Sequence, residues 1–300
     1  MNPVHPAITV VIPTYNHAPL LRLALQSLQE QTFREWEAVI VNNFSQDNTV
    51  EVVASFHDPR LRLINFRNHG IIGASRNAGG REAQADILAF LDSDDTWSSR
   101  KLERVMAIFR SQPGVDLVCH DLLMTGAGKK ERRLRCGPTK DYKSLLFGRT
   151  LLFTSAVALR RSRFLELGGF SEDSGFVGGE DFDLWLRLSQ AGGRLEYLHE
   201  VLGTYCVHGQ NFTAKIDKFL QNSLTVLNRH FQAWEPKSPK YRYLMRRRRS
   251  DAIRGAGLAC VQQGNFPQAQ QFLRRAIAED PISWKAWVLL ALSLMKIRLA

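Results

Sequence analysis

Apolar and polar positions alternate in blocks along the first third of the chain. Ile8-Thr-Val-Val-Ile12 is a short β-branched run stopped by Pro13. Runs that are apolar at nearly every position mark strands covered on both faces. After a polar turn come Leu20, Leu21, Leu23, Leu25 and Leu28 at roughly helical spacing. The alternation continues: it predicts strands over 36–41, 61–66 and 86–91, and helices over 47–56 and 74–84. Such a succession implies an α/β fold with a mixed, mostly parallel sheet and helices on both faces. In sheets of that kind ligands bind at the carboxyl ends of the strands.

Those ends are polar. The first predicted strand runs into Pro13-Thr14-Tyr15-Asn16, the second into Asn42-Asn43-Phe44-Ser45, and the fourth into Asp92-Ser93-Asp94-Asp95. Three carboxylates in four residues repel one another unless a cation or hydrogen-bond donors neutralise them, and a divalent metal is the economical explanation. The same residues also suit a turn that caps a helix from about Ser98. No G-x-G-x-x-G follows the first strand and no G-x-x-x-x-G-K-[ST] occurs anywhere, so neither usual phosphate cradle is present. A hard cation held by one or two carboxylates and by substrate phosphates can take its place.

Composition narrows the class. The 300 residues are 44% apolar and 23% charged, enough to bury a core, which excludes disordered, collagen-like and disulfide-framework chains. Cys119, Cys136, Cys206 and Cys260 are scattered without a C-x-x-C pair, so no zinc cage is expected and a reducing, cytoplasmic setting fits. The first residues lack the basic segment of a signal peptide. No stretch reaches the roughly 20 apolar residues of a membrane span, which leaves peripheral contact at an inner membrane face.

The net charge of +11 is unevenly placed: residues 240–300 hold twelve Lys and Arg against Asp251, Glu279 and Asp280. A nearly balanced body with a basic appendage predicts a catalytic unit over 1–239 and a helical tail over 240–300, divided near Trp234-Glu-Pro-Lys-Ser-Pro-Lys240. In the tail, Gly257, Cys260, Gly264, Ala269, Leu273, Ala276 and Pro281, then Trp287, Leu290 and Leu294, resemble one tetratricopeptide repeat and the start of another. So short an array buries its core poorly, so the tail is expected to pack on the body, self-associate or meet a protein partner. Arg246 to Arg249 suit anionic lipid, whereas the apolar stretch from Trp287 to Leu299 reads as core. No nucleic-acid-binding fold accompanies the charge.

Taken in order, Thr9-Val-Val-Ile-Pro-Thr-Tyr-Asn16, Ser27-Leu-Gln-Glu-Gln-Thr-Phe33, Ser45-x-Asp47-Asn-Thr49, Ala74-Ser-Arg-Asn77 and Phe90-Leu-Asp-Ser-Asp-Asp95 closely resemble the family 2 glycosyltransferases of the GT-A fold. Gly168-Gly-Phe170, Glu180-Asp-Phe-Asp-Leu-Trp-Leu186 and His208 continue the match, which covers 7 to about 213. The resemblance implies a nucleotide-binding half over 7–104, an acceptor half over 105–213 and a helical linker over 214–239. It implies inverting transfer of a sugar from a nucleoside diphosphate, UDP favoured, to a hydroxyl of a glycan or lipid-linked acceptor, in surface glycan or glycoconjugate synthesis. A non-catalytic scaffold on the same fold, recruiting partners through the tail, is the competing reading.

Carried over residue by residue, the resemblance makes Asp94 a ligand of Mn2+ or Mg2+. Asp92 contacts the ribose or the metal with Ser93 beside it, and His208 completes the metal shell or touches the diphosphate. Asp181 becomes the candidate general base and Glu180 a second catalytic carboxylate, although acidic residues there also complement a helix dipole. Pro13, Thr14, Tyr15, Asn16, Asn42, Asn43 and Ser45 would line the nucleoside site. Arg76 and Asn77 open a helix and would approach a phosphate or ribose. Asp95 is expected to orient the loop, while His17, His69, His120 and His199 receive no role. One departure stands out: most relatives have Asp-Asp-Gly-Ser where this chain has Asn42-Asn43-Phe44-Ser45. An amide both donates and accepts, so Asn43 suits uracil or cytosine, and the case for UDP weakens. Residues 125–149 read as a loop or lid whose Lys129, Lys130, Arg132 and Arg133 suit an anionic acceptor.

Overall fold

The computed structural model describes residues 5–126, 131–139, 141–148, 152–208, 215–232 and 238–299. Lys129, Lys130, Asn211 and the Trp234–Lys237 part of the predicted linker lie outside them.

The alternation read from the sequence is realised as β1 (Ile8–Thr14), α1 (Ala18–Gln29), β2 (Trp36–Asn42), α2 (Thr49–Ala54), β3 (Leu61–Asn65), α3 (Ile72–Glu82) and β4 (Ile87–Phe90). There follow β5 (Thr96–Trp97), α4 (Lys101–Ser111), β6 (Leu117–Thr125), β7 (Arg132–Leu134), α5 (Tyr142–Phe147), β8 (Val157–Arg160), α6 (Arg161–Glu166), α7 (Glu180–Gln190) and β9 (Leu195–Cys206). The sheet order is β3-β2-β1-β4-β8-β6-β9-β5, with β7 on β6. The β3-β2-β1-β4 half is parallel, while β8 runs antiparallel to both β4 and β6.

Burial follows the two periods. In α1, Leu21, Ala24, Leu25 and Leu28 are fully buried while Leu23 faces outward, the stripe of a helix lying on a sheet. Ile8, Val10 and Ile12 share that core with Leu102, Val105 and Phe109 of α4. Val11 points to the opposite face, where α3 approaches so closely that a Cβ on Gly79 would sit 2.4 Å from Val11 Cγ1. Pro13 does not end β1, which runs to Thr14 paired with Asn42. Proline lacks a ladder donor, but β1 pairs with β4 only as far as Val11, so none is needed there.

Two compact units emerge: one gathers Met1–Tyr142, Thr150–Ser174 and Glu180–Gly209, the other Lys143–Arg149, Gly175–Gly179 and Gln210–Ala300, among the described residues of each. The second holds α8 (Ile216–Gln232), α9 (Pro239–Gln263), α10 (Phe266–Glu279) and α11 (Trp284–Leu294), so α8 groups with the tail helices. Its core joins Ile253, Cys260 and Val261 of α9 with Phe272 and Leu273 of α10 and Ala286, Leu289 and Leu290 of α11. The expectation that the stretch from Trp287 onward is core holds for one face only: Trp287, Val288, Leu294, Met295 and Ile297 are exposed. No described helix is long and apolar enough to cross a membrane. The expected loop or lid over 125–149 contains β7 and α5, and Arg133 fastens β7 to β6 by donating to Asp121 Oδ2 and to β9 by donating to His199 O.

Candidate active site

The chain leaves β4 into the acidic turn, and its three carboxylates diverge. Asp95 turns inward and accepts from Ser155 Oγ at 2.6 Å and Cys206 N at 3.0 Å. Burial, with Asp94 and Asp92 alongside, pushes its carboxyl well above the usual range. Asp94 Oδ2 lies 2.8 Å from His208 Nε2. Burial and the charge of Asp92 raise Asp94, and the hydrogen bond from His208 partly offsets this. Asp92 Oδ1 accepts from Arg76 Nη2 at 2.6 Å.

Arg76 is almost wholly buried, and its Nη1 donates to Glu180 Oε1 at 2.6 Å. Burial opposes the guanidinium charge, but Asp92, Glu180 and Asp181 together hold its proton more tightly than usual. Arg76 thus ties the end of β4 to the start of α7. The side chain expected to approach a phosphate or ribose is here paired with both carboxylates. Asn77 is committed likewise: its Nδ2 donates to Phe170 O and Glu172 Oε1, and its Oδ1 accepts from Phe170 N. Both side chains build the site from behind.

Asp181 differs from its neighbour in exposure. Glu180 is buried on Arg76, whereas Asp181 is partly exposed, its Oδ2 accepting from Thr154 Oγ1 at 2.9 Å and its Oδ1 from its neighbour Phe182 N. Crowding out of water raises its carboxyl, with Arg76 and the Thr154 hydrogen bond pulling the other way. Asp92 acts on it electrostatically, so a carboxylate of α7 and the acidic turn of β4 share one field.

The loops after β1 and β2 form the adjoining wall. Asn16 N donates to Ser45 Oγ, Gln46 N to Asn16 Oδ1, and Ala18 N to Asp47 Oδ2. Asn42 is buried and occupied, donating to Asn65 Oδ1 and accepting from Ser45 N. Asn43 Oδ1 accepts from Asn68 N at 3.0 Å, which orients the amide with its NH2 away from that partner. Thr14 Oγ1 is buried without a hydrogen-bond partner among the described residues. Tyr15 and Phe44 are half exposed. Pro13 is buried within β1.

Sequence reasoning missed three contributors. His17, given no role, sits with Nδ1 3.1 Å from Ser93 Oγ and its ring edge-on to His208, 5.9 Å between centroids. Thr154 and Ser155 reach Asp181 and Asp95 from the turn before β8, where no motif marks them. None of the four cysteines is joined in a disulfide.

No group of three or more His, Cys, Asp or Glu side chains is arranged to hold an ion among the described residues. The Asp94–His208 pair nevertheless offers a carboxylate oxygen and an imidazole nitrogen, and the crowded acids around it call for positive charge. That fits Mn2+ or Mg2+ completed by substrate phosphates. Asp92 is turned to Arg76 and stands outside this pair.

A parallel βαβ half with an acidic turn at the end of β4, faced by carboxylates on a later helix, defines a GT-A-type transferase. The model of "Glycosyl transferase family 2" matches residues 9–168; the chain belongs to that family and is a glycosyltransferase. A second model, "N-terminal domain of galactosyltransferase", matches 141–208. An uncharacterized glycosyltransferase of Haemophilus influenzae is 27% identical over 230 residues, covering 75% of this chain and 76% of that protein. Among solved structures, S. aureus TarS 1–349 in complex with UDP-GlcNAc has a TM-score of 0.62 at 16% identity, covering 97% of this chain and 88% of that one. The mannosyltransferase PcManGT from Pyrobaculum calidifontis, in complex with GDP-Man and Mn2+, has 0.61 at 22% identity, covering 97% and 80%. These two likenesses concern the fold.

Proposed function

We propose that this chain transfers a sugar from a nucleoside-diphosphate donor, UDP favoured, to an acceptor hydroxyl with inversion, in glycan or glycoconjugate synthesis. The observation that carries the reading is the cluster at the end of β4: Arg76 bridges Asp92 and Glu180, Asp94 meets His208, and Asp181, beside Glu180 at the start of α7, stays partly exposed. UDP-GlcNAc and GDP-Man in the two neighbours support a nucleotide-sugar donor. Asn43, its amide NH2 turned away from Asn68 N, is the polar group offered to the nucleoside. Asp181 is the base: it is reachable, and its raised affinity for protons matches the task of removing one from an alcohol. Glu180 is a positioning residue that holds Arg76, and Arg76 in turn holds Asp92. Asp94 and His208 would hold Mn2+ or Mg2+, and Mn2+ in the mannosyltransferase supports this choice. Such an ion supplies Lewis acidity to the departing diphosphate.

The helices α9–α11 we read as a short tetratricopeptide-like array. The test of the transfer reading is release of nucleoside diphosphate from a panel of sugar nucleotides, with Mn2+ added or chelated. Ion-dependent release that Asp181→Asn abolishes is expected. Binding of sugar nucleotides without turnover, with every acceptor tried, would return the scaffold reading.

A further inference from the structure

Helix α11 is apolar except for Lys285 and Ser293. One side, with Ala286, Leu289, Leu290 and Ser293, is buried in the tail's core. On the other, Trp284 is 66% exposed, Trp287 52%, Leu294 55% and Met295 61%, with Val288 between them. Spaced by three, four and seven residues, these side chains form one stripe along the helix. Helices with no polar face are normally covered on both sides, and single exposed apolar residues differ from a contiguous stripe.

Charge selects what covers it. Lys285 stands at the start of the stripe, Lys296 and Arg298 follow its end, and no acidic residue occurs between Pro281 and Ala300. Residues 240–300 carry twelve basic against three acidic side chains, so a second copy would bring like charge against like. Tryptophan with flanking lysine and arginine is the composition of segments that lie in the headgroup region of a bilayer. In the arginine run of α9, Arg246 donates to Ala278 O, Arg248 to Leu146 O and Arg249 to Asn228 Oδ1, while Arg246 and Arg247 stay exposed and add positive charge to the same unit.

We propose that the outer face of α11 is a docking surface for an anionic lipid bilayer, with Trp284, Trp287, Leu294 and Met295 entering the interface and Lys285, Lys296 and Arg298 meeting the headgroups. This surface is independent of the transfer reading and can be tested without substrate.

The full-length protein is co-sedimented with vesicles of phosphatidylcholine alone and with about one-third phosphatidylglycerol. The charged vesicles should bind it about a hundredfold better, three basic residues each adding severalfold, and 1 M salt should remove most of that gain. Trp284→Ser with Met295→Ser, both exposed and so harmless to the fold, should lower binding at least tenfold. Lys285→Glu with Lys296→Glu should do the same, and circular dichroism of each variant should match the parent. Equal affinity for the two vesicle types, no binding to either, or variants that bind like the parent would overturn the proposal. So would light scattering that shows a dimer lost on Trp284→Ser, since a second copy would then cover the face.

Discussion

Arg76 offers the sharpest test of how the site is built. Its guanidinium bridges two carboxylates at 2.6 Å each, and the two are unequal: the Glu180 side chain is 5% exposed, Asp92 27%. Removing one partner of a buried ion pair costs about 3–5 kcal/mol, because the other charge stays buried without compensation. The half-wet Asp92 leg deserves a discount, so Arg76→Met should destabilise by about 3 kcal/mol, nearly all through Glu180. Adding Glu180→Gln removes the stranded charge, and the double variant should recover about 2 kcal/mol of that loss. Urea denaturation followed by near-ultraviolet circular dichroism, to which the buried Trp36, Trp97 and Trp185 contribute, measures both. Arg76→Lys should rescue little, since one ammonium cannot span two carboxylates held on different elements. Strict additivity of the two substitutions, or a cost below about 1 kcal/mol for Arg76→Met, would refute the clamp.

Three other outcomes follow from single contacts. The Thr154 hydrogen bond lowers the proton affinity of Asp181, so Thr154→Val should shift the acid limb of the kcat/KM profile to higher pH; an unmoved limb would separate Asp181 from the titrating base. Lys101 is fully buried, its Nζ over the Trp97 ring with no hydrogen-bond partner among the described residues, and burial drives it well below its ordinary 10.5. The unfolded chain binds that proton more readily, so wild-type stability rises with pH below 10.5. Lys101→Met should therefore be more stable than the parent at pH 7, with the gap closing toward pH 10; a pH-independent gap would mean ordinary packing. Phe44 sits at φ +56°, a conformation costing a side chain about 1–2 kcal/mol. Glycine there relieves the strain at some entropic cost, so Phe44→Gly should raise the urea midpoint and alter donor KM while leaving kcat nearly unchanged.

Elements with a clean period were legible in the sequence: β1, α1, β2 and β4 appear within two or three residues of their expected places, because burial on both faces or along one stripe dictates their pattern. The convergence of Asp94 and His208 was also legible from family order, although they are 114 residues apart. What escaped was direction. Arg76 and Asn77 look like ligand-binding residues in the sequence, and only the fold reveals Glu180, Asp92 and the backbone of Phe170 as their partners. His17, Thr154 and Ser155 carry no periodic or motif signal, since their work depends on chain segments brought beside them by the sheet. Helix α11 misled for a related reason: apolar content marks what prefers to leave water, not what is present to cover it.

The bonds of Asn16 with Ser45 and Gln46, and of Ala18 with Asp47, tie the first two loops into one rim. If the proposed nucleoside site lies here, a rim shaped beforehand would surrender little chain entropy on association. The amides of Asn16 and Gln46 should then resist deuterium exchange in the free protein almost as well as in the complex. Discrimination between bases would rest on a fixed template, altered by changing its atoms and scarcely by changing temperature or loop length.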